Sequence, residues 1–350
     1  MNNFNLDTII RPNVKAMKAY SSARDEFQEI NDDYIFLDAN ENPFPSPYNR
    51  YPDPQQRALK QVLADKHGVG KEQMILGNGS DEVLDLLFRA FCNPEIDNVI
   101  GISPSYGMYQ VLANLNAIEY RKSLLQPEVF SLDVNDILSK VDDQTKLIFL
   151  CSPNNPTGQY LDDNDIEKLL NSFHGLVVVD EAYIDFGNKP SWNKKLNTYP
   201  NLVVLQTLSK AYGMAGLRLG ILFGNEEVIS VLNKIKPPYN INQYTQDFAQ
   251  KCLIDKTYNE SLINLLSKER EFLSKSLIQV NFVEKVFPSD SNFILIKVDN
   301  ANKRYQQLVE KGIIIRNRTN DDLCENCLRI TVGTEEENGK LVEVMKSLKI

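Results

Sequence analysis

The stretch Thr207-Leu208-Ser209-Lys210-Ala211-Tyr212-Gly213-Met214-Ala215-Gly216-Leu217-Arg218-Leu219-Gly220 decides how this chain is read. It lies between two apolar runs, residues 202–205 and 219–223. Both have the character of buried strands. A lysine between two such strands is held at the edge of a core. Ser209 precedes it and Arg218 follows a few residues on. An amine able to condense with a carbonyl then stands near a hydroxyl and a guanidinium able to hold a phosphate. By itself, Ser209-Lys210 reads more readily as part of a solvated loop, because short motifs recur by chance. The rest of the chain has to decide.

Upstream, Met74-Ile75-Leu76 leads into Gly77-Asn78-Gly79-Ser80-Asp81-Glu82. After it, Val83, Leu86, Leu87, Ala90 and Phe91 share one helical face. A strand, a Gly-rich turn and a helix direct backbone N–H groups and a positive dipole end at one spot, which suits a phosphate. A helix capped by Ser80 or Asp81 is the other reading. Further strands are expected over residues 98–102, 146–151 and 176–179, with a helix over 163–173. Tyr106 follows the first of these strands, Asn155 the second, and Asp180 and Tyr183 the third. Continuously apolar strands alternating with helices predict a parallel-rich α/β sheet. Such sheets bind ligands at the carboxyl ends of their strands. That placement groups Asn155, Asp180, Tyr183 and Lys210.

Beyond Lys236-Pro237-Pro238-Tyr239 a long helical region is expected over residues 245–280. Strands over 293–298, 313–315 and 328–332 and helices over 303–311 and 335–348 complete a smaller α/β unit. Towards the N-terminus, short helices are expected over 14–20 and 55–66. Between them, the prolines and asparagines from Phe36 to Asp53 exclude regular structure. The expected division is an N-terminal arm over 1–40 packing with the small domain, a large domain over 41–240 and a small domain over 241–350.

At 350 residues the chain is long enough for two domains. It has 47 acidic and 38 basic residues and no basic block, which argues against nucleic acid as a partner. Residues 1–13 lack the apolar core of a signal peptide, and no apolar run approaches membrane-spanning length, so a cytoplasmic protein is expected. Five scattered cysteines do not suggest a disulfide framework. Cys324 and Cys327 have metal or redox spacing, but no second pair completes a zinc site, and no metal is expected. His67 and His174 each stand beside a glycine and read as capping or surface residues, so a proton carrier other than histidine is expected.

Pyridoxal 5'-phosphate makes demands that these residues can meet. Its aldehyde needs an amine, which Lys210 offers. Its ring nitrogen needs a carboxylate to stay protonated; Asp180 suits this, though it could equally cap a helix. Its ring oxygen needs donors, which Asn155 and Tyr183 supply, and its phosphate needs a hydroxyl, a cation and backbone amides. Ser209, Arg218 and the Gly79-Ser80-Asp81 turn provide those. Tyr106 offers a face for stacking, or is a core tyrosine.

With these residues together, the chain resembles the aspartate-aminotransferase-like, fold type I pyridoxal-phosphate enzymes, and among them the histidinol-phosphate aminotransferases. The resembling segments are Leu37-Asp38-Ala39-Asn40-Glu41-Asn42-Pro43, Asn49-Arg50-Tyr51-Pro52, Gly79-Ser80-Asp81-Glu82 and Tyr106-Gly107-Met108-Tyr109. They continue with Ser152-Pro153-Asn154-Asn155-Pro156-Thr157-Gly158, Asp180-Glu181-Ala182-Tyr183, Thr207-Leu208-Ser209-Lys210, Ala215-Gly216-Leu217-Arg218 and Leu328-Arg329-Ile330-Thr331-Val332-Gly333. The resemblance implies a large domain with a mostly parallel sheet and a smaller α/β domain. It implies that Lys210 bonds the cofactor, Asp180 pairs with its ring nitrogen, and Asn155 and Tyr183 hold its ring oxygen. Tyr106 would stack on the ring, while Ser80, Asp81, Ser209 and Arg218 would surround the phosphate. Tyr51 would reach the cofactor phosphate of a partner subunit, implying a homodimer with shared sites. Arg329, Arg316, Tyr20 and Asn40 would meet the substrate. The implied reaction is transamination between histidinol phosphate and 2-oxoglutarate, giving glutamate, as a step of histidine biosynthesis.

Two rivals from other classes fit less well. A nucleotide- or adenosylmethionine-binding protein built on Gly77-Asn78-Gly79 would have Glu82 where the dinucleotide motif needs its third glycine. A non-catalytic regulator of the same fold would need a DNA-binding domain for which the chain has neither length nor basic charge. Within the family, an aromatic aminotransferase and a threonine-phosphate decarboxylase remain alternatives.

Overall fold

A computed structural model describes residues 4–20 and 34–348. Seven strands form one sheet: β1 (Met74–Asn78), β2 (Asn98–Ser103), β3 (Glu119–Leu124), β4 (Thr145–Cys151), β5 (Leu176–Asp180), β6 (Leu202–Thr207) and β7 (Leu219–Gly224). Their spatial order is β1-β7-β6-β5-β4-β2-β3. Strands β3, β2, β4, β5 and β6 run parallel, and β7 runs antiparallel to both its neighbours. The apolar runs are continuous because both faces are covered. On β5 and β6, Val177, Val179, Leu202 and Val204 pack into one apolar cluster. Their alternates Leu176, Val178, Val203 and Leu205 pack into another. This is the period-two alternation of a strand buried on both sides.

A second sheet joins β8 (Val283–Val286), β9 (Phe293–Val298), β10 (Arg316–Asn317) and β11 (Cys327–Thr331). Its order is β10-β11-β9-β8, antiparallel throughout. Ile294, Ile296, Leu328 and Ile330 build its own core with Leu341 and Met345 of the helix Glu335–Ser347. That helix opens on a capping box between Thr334 and Glu337, which satisfies orphan N–H groups at its start.

Several expected elements are corrected. The apolar residues 313–315 are not a strand; pairing begins at Arg316, where β10 meets β11. The helix expected over 14–20 is a single turn, Pro12–Ala16, started by its proline. The helical region expected over 245–280 is two helices, Gln243–Ile254 and Lys256–Leu277, separated at Asp255. Neither Ser80 nor Asp81 caps the helix Ser80–Phe91; Gly79 does. His67 stands at a helix end as expected, closing Arg57–His67, but it is half-buried with its ring packed on Phe223, and burial lowers its pKa to about 4. His174 is exposed. The arm expected over 1–40 lies partly outside the described residues; its Leu6, Ile9 and Val14 pack into the core of the large domain with Ile75 and Phe91, not on the small domain, because they are the arm's apolar residues over that face.

One carboxylate ties the two ends of the irregular segment after Phe36 together. Glu41 accepts from Arg50 Nη1 at 2.7 Å and from the Tyr51 backbone N–H at 2.6 Å. Two of the segments that carry the family resemblance therefore meet at Glu41. Among the described residues, no helix is long and apolar enough to cross a membrane.

Candidate active site

The carboxyl ends of β1, β2, β4, β5 and β6 converge on one side of the large sheet. Because β7 runs the other way, its amino end arrives at the same edge. Between this edge and the small sheet lies a cavity of about 650 Å³. Ser80, Asp81, Tyr106, Asn155, Asp180, Tyr183, Ser209, Lys210, Arg218, Arg316 and Arg329 all line it. Eleven of the expected site residues are thus brought together from both sheets.

At one end is a place for an anion. Gly79 has φ 83°, and a side chain there would clash with Arg218, whose Nη2 would stand 2.4 Å from its Cβ. The bare backbone lets the arginine lie across the turn, and the Gly79 N–H donates to the Arg218 carbonyl at 2.9 Å. Arg218 itself adopts φ 52°, a conformation costly for a residue with a side chain, and such strain clusters at functional sites. Its guanidinium lies 3.9 Å from Asp81, which also accepts from the Tyr106 hydroxyl at 3.1 Å. The helix Ser80–Phe91 begins here, so its first N–H groups face the same place. Ser209 is near too, its hydroxyl accepting from Thr207 at 3.0 Å.

The cavity floor is Asp180, the last residue of β5, only 4% exposed. One oxygen accepts from the Ala182 N–H at 3.0 Å and the other from the Tyr109 hydroxyl at 2.6 Å. Burial pushes its pKa up to about 6 against these hydrogen bonds. Beside it, Asn155 Nδ2 donates to the Tyr183 hydroxyl at 3.3 Å, and Arg329 Nη1 donates to Asn155 Oδ1. This contact joins the small sheet to the large one inside the cavity. Lys210 opens onto the cavity with its amine 5.7 Å from the centre of the Tyr183 ring. Although the side chain reaches solvent, desolvation by the surrounding atoms, and then Arg329, lower its pKa.

Arg329 of β11 stands directly opposite Arg316 of β10. Like charges in opposite positions of a sheet destabilise it unless an anion lies between them. Arg329 Nε is buried with no hydrogen-bond partner among the described residues, and burial lowers the pKa of its guanidinium. A buried donor left unsatisfied is costly, so this end of the cavity too is built for a negative group.

Three expected residues lie elsewhere. Tyr20 is 73% exposed and does not line the cavity. Asn40 and Tyr51 line a second cavity, of about 760 Å³, where Tyr51 stacks on Tyr239 at 4.4 Å. Conversely, the site contains residues to which the sequence assigned no role. Arg318 and Asp321 form a 2.7 Å ion pair on the wall, and Asp322 accepts from Ser103 at 2.6 Å and Lys122 at 3.1 Å. The alternation Arg316-Asn317-Arg318 was the available signal for Arg318, since strand residues two apart share a face. Tyr109 closes the segment Tyr106-Gly107-Met108-Tyr109, whose sequence pointed to Tyr106 alone. Among the described residues, no group of three or more His, Cys, Asp or Glu could hold a metal ion.

The arrangement offers an amine with reduced basicity, a buried carboxylate and two cationic ends. The family model for aminotransferases of class I and II matches residues 37–345. A histidinol-phosphate aminotransferase of Flavobacterium psychrophilum is 58% identical over 348 residues, covering 99% of this chain and all of that protein. The crystal structure of the histidinol-phosphate aminotransferase from Clostridium acetobutylicum is 27% identical, with a TM-score of 0.78 over 85% of this chain and 90% of that one. The enzyme of that name from Sinorhizobium meliloti, solved with pyridoxal-5'-phosphate, shares the fold at a TM-score of 0.77 and 22% identity, over 86% of this chain and 84% of that one. The mostly parallel large sheet with its smaller partner is therefore the fold type I, aspartate-aminotransferase-like architecture, and the chain belongs to the class I and II aminotransferase family.

Proposed function

We propose that this enzyme is a histidinol-phosphate aminotransferase, moving the amino group of L-histidinol phosphate to 2-oxoglutarate and yielding imidazole acetol phosphate and glutamate. The observation that carries this is the pair of cationic ends flanking Lys210. The Arg218 end fits the phosphate of a cofactor, and the Arg316–Arg329 end fits an anionic substrate group. The full-length match to curated proteins of that name supports the choice of amine.

The family uses pyridoxal 5'-phosphate, and the donor set fits it. The Gly79 turn, which a Cβ would fill, leaves room for a phosphate among Ser80, Asp81, Ser209 and Arg218. Asp180 would pair with the ring nitrogen, Asn155 and Tyr183 would hold the ring oxygen, and Tyr106 would stack on the ring. When bound, the cofactor supplies an aldehyde that takes up the amine and a ring that accepts electrons from the substrate carbon. The chain does the rest. The lowered pKa of Lys210 enlarges its neutral fraction, so its Nζ can accept the substrate's Cα proton and deliver it again on the far side of the amino nitrogen. No histidine is needed for this. Asp180, kept from water, holds a proton on the ring by its charge. Arg329, with Arg316 opposite it, would clamp first the substrate phosphate and then a carboxylate of the keto acid.

We further propose a homodimer in which Tyr51 completes the partner's phosphate site. Tyr51 and Asn40 stand apart from Lys210 within one chain, and Phe44, Tyr48 and Tyr51 are exposed around them. The proposed domains are the large one over 41–240 and the small one over 241–350, and Leu6, Ile9 and Val14 of the arm join the core of the large one. A cytoplasmic location accords with Cys92, Cys151, Cys324 and Cys327 remaining buried thiols.

Comparing L-histidinol phosphate, phenylalanine and threonine phosphate as substrates tests the reading. The expected result is highest kcat/KM for histidinol phosphate. A preference for phenylalanine, or release of carbon dioxide from threonine phosphate, would replace it.

A further inference from the structure

Behind the Asp180 carboxylate lies Tyr109, at the start of the helix Met108–Leu115 and fully buried. Its ring stacks on Phe149 with centroids 5.0 Å apart and planes 13° from parallel. Phe149 in turn stacks on Phe88 at 5.2 Å, and Tyr106 meets Tyr109 edge-on at 5.6 Å. Three aromatic rings thus fix where the Tyr109 hydroxyl points. A phenylalanine would fill the same stack. The hydroxyl is therefore not explained by packing, and a buried hydroxyl costs stability unless it finds a partner. Here the partner is Asp180 Oδ2, at 2.6 Å. With the Ala182 N–H on Oδ1 at 3.0 Å, both oxygens of the carboxylate are held by donors from the protein interior.

We propose that Tyr109 is a positioning residue, whose hydroxyl aims the Asp180 carboxylate at the cofactor's ring nitrogen. A donor to a carboxylate also favours its charged form. That matters because burial works the other way at Asp180, with Asp81 adding repulsion and Lys210 opposing it. Tyr106, Cys151 and Tyr183 are the other titratable groups facing this carboxylate, and each is itself held in its neutral form by burial. Among these groups, Tyr109 donates directly to the acid.

The role rests on the proposed pairing of Asp180 with the ring nitrogen, so the test separates the two. Apoprotein of wild type, Tyr109→Phe, Phe149→Leu and Asp180→Asn is titrated with pyridoxal phosphate and followed by absorbance. The kcat of each reconstituted enzyme is then measured against pH. Thermal melts of the apoproteins check folding. For Tyr109→Phe, loss of one hydrogen bond to a charged group predicts cofactor binding about tenfold weaker. It also predicts an acid limb of kcat about one pH unit higher, with KM for the amino donor unchanged. Phe149→Leu disturbs the stack but keeps the hydroxyl, and should melt lower without moving either readout. The proposal is overturned if Tyr109→Phe keeps wild-type cofactor affinity and acid limb while Asp180→Asn loses affinity. It is overturned equally if Phe149→Leu moves both readouts as far as Tyr109→Phe does. Wild-type cofactor binding by Asp180→Asn would remove the Asp180 pairing itself, and the role of Tyr109 with it.

Discussion

The two sheets contribute to the cavity in opposite ways. The large sheet places its side chains at or past strand ends: Ser80 after β1, Tyr106 after β2, Asn155 after β4, Asp180 closing β5 and Lys210 after β6. The small sheet places Arg316 and Arg329 within paired strands, directly opposite each other. Parallel strands buried on both faces can present groups only at their ends, and five ends converge there. An antiparallel sheet offers a face instead, and repeats a side-chain type by pairing. The first arrangement gathers unlike groups for chemistry, and the second concentrates one charge for binding. Mutations in the two sheets should therefore fail in different ways.

The largest effect is expected at the large sheet. Lys210→Ala should lower turnover by about four orders of magnitude and abolish the visible absorption of the holoenzyme; activity retained by the purified variant would break the assignment. Arg329→Ala should act on binding. It should raise KM for both amino donor and keto acid by about tenfold to a hundredfold, seen in steady-state kinetics with each substrate varied. If neither KM moves, the small sheet is not the anion site. Gly79→Ala should weaken pyridoxal phosphate binding by about 1–3 kcal/mol, because φ 83° and the Arg218 side chain both oppose a Cβ. Equilibrium titration measures it, and unchanged affinity would place the phosphate elsewhere.

The smallest effect concerns Glu181, next to Asp180 in the chain but turned into the core. Burial raises its pKa to about 7, against hydrogen bonds from Ser191, Trp192 and Gln206. A buried acid with a raised pKa keeps its proton when folded and loses it when unfolded at the same pH. It thus costs stability as pH rises from about 4.5, its ordinary value, to about 7. Glu181→Gln removes that cost, so the melting temperature of the variant relative to wild type should rise across this window. A constant difference across it would show that Glu181 does not titrate there.

How much was legible in the sequence follows the same division. The large sheet's strands are apolar on both faces and bounded by turn residues, so their ends, and hence Asn155, Asp180, Tyr183 and Lys210, could be read. Strand β10 could not. Its two residues are polar, and the apolar run just before them at 313–315 drew the expectation away. The register that sets Arg316 opposite Arg329 depends on pairing between distant segments, which local pattern does not record. Tyr109 was missed for a similar reason, since its partner Asp180 is 71 residues away. Tyr20, Asn40 and Tyr51 came from resemblance alone, and within one chain they do not line the cavity that holds Lys210. Mixing Lys210→Ala and Tyr51→Phe chains would show whether a second copy does.

The most direct measurement is borohydride reduction of the holoenzyme, followed by proteolysis and mass spectrometry. The expected result is a single pyridoxyl adduct, on the peptide that carries Lys210. An adduct on another lysine, or none, would contradict the site described here.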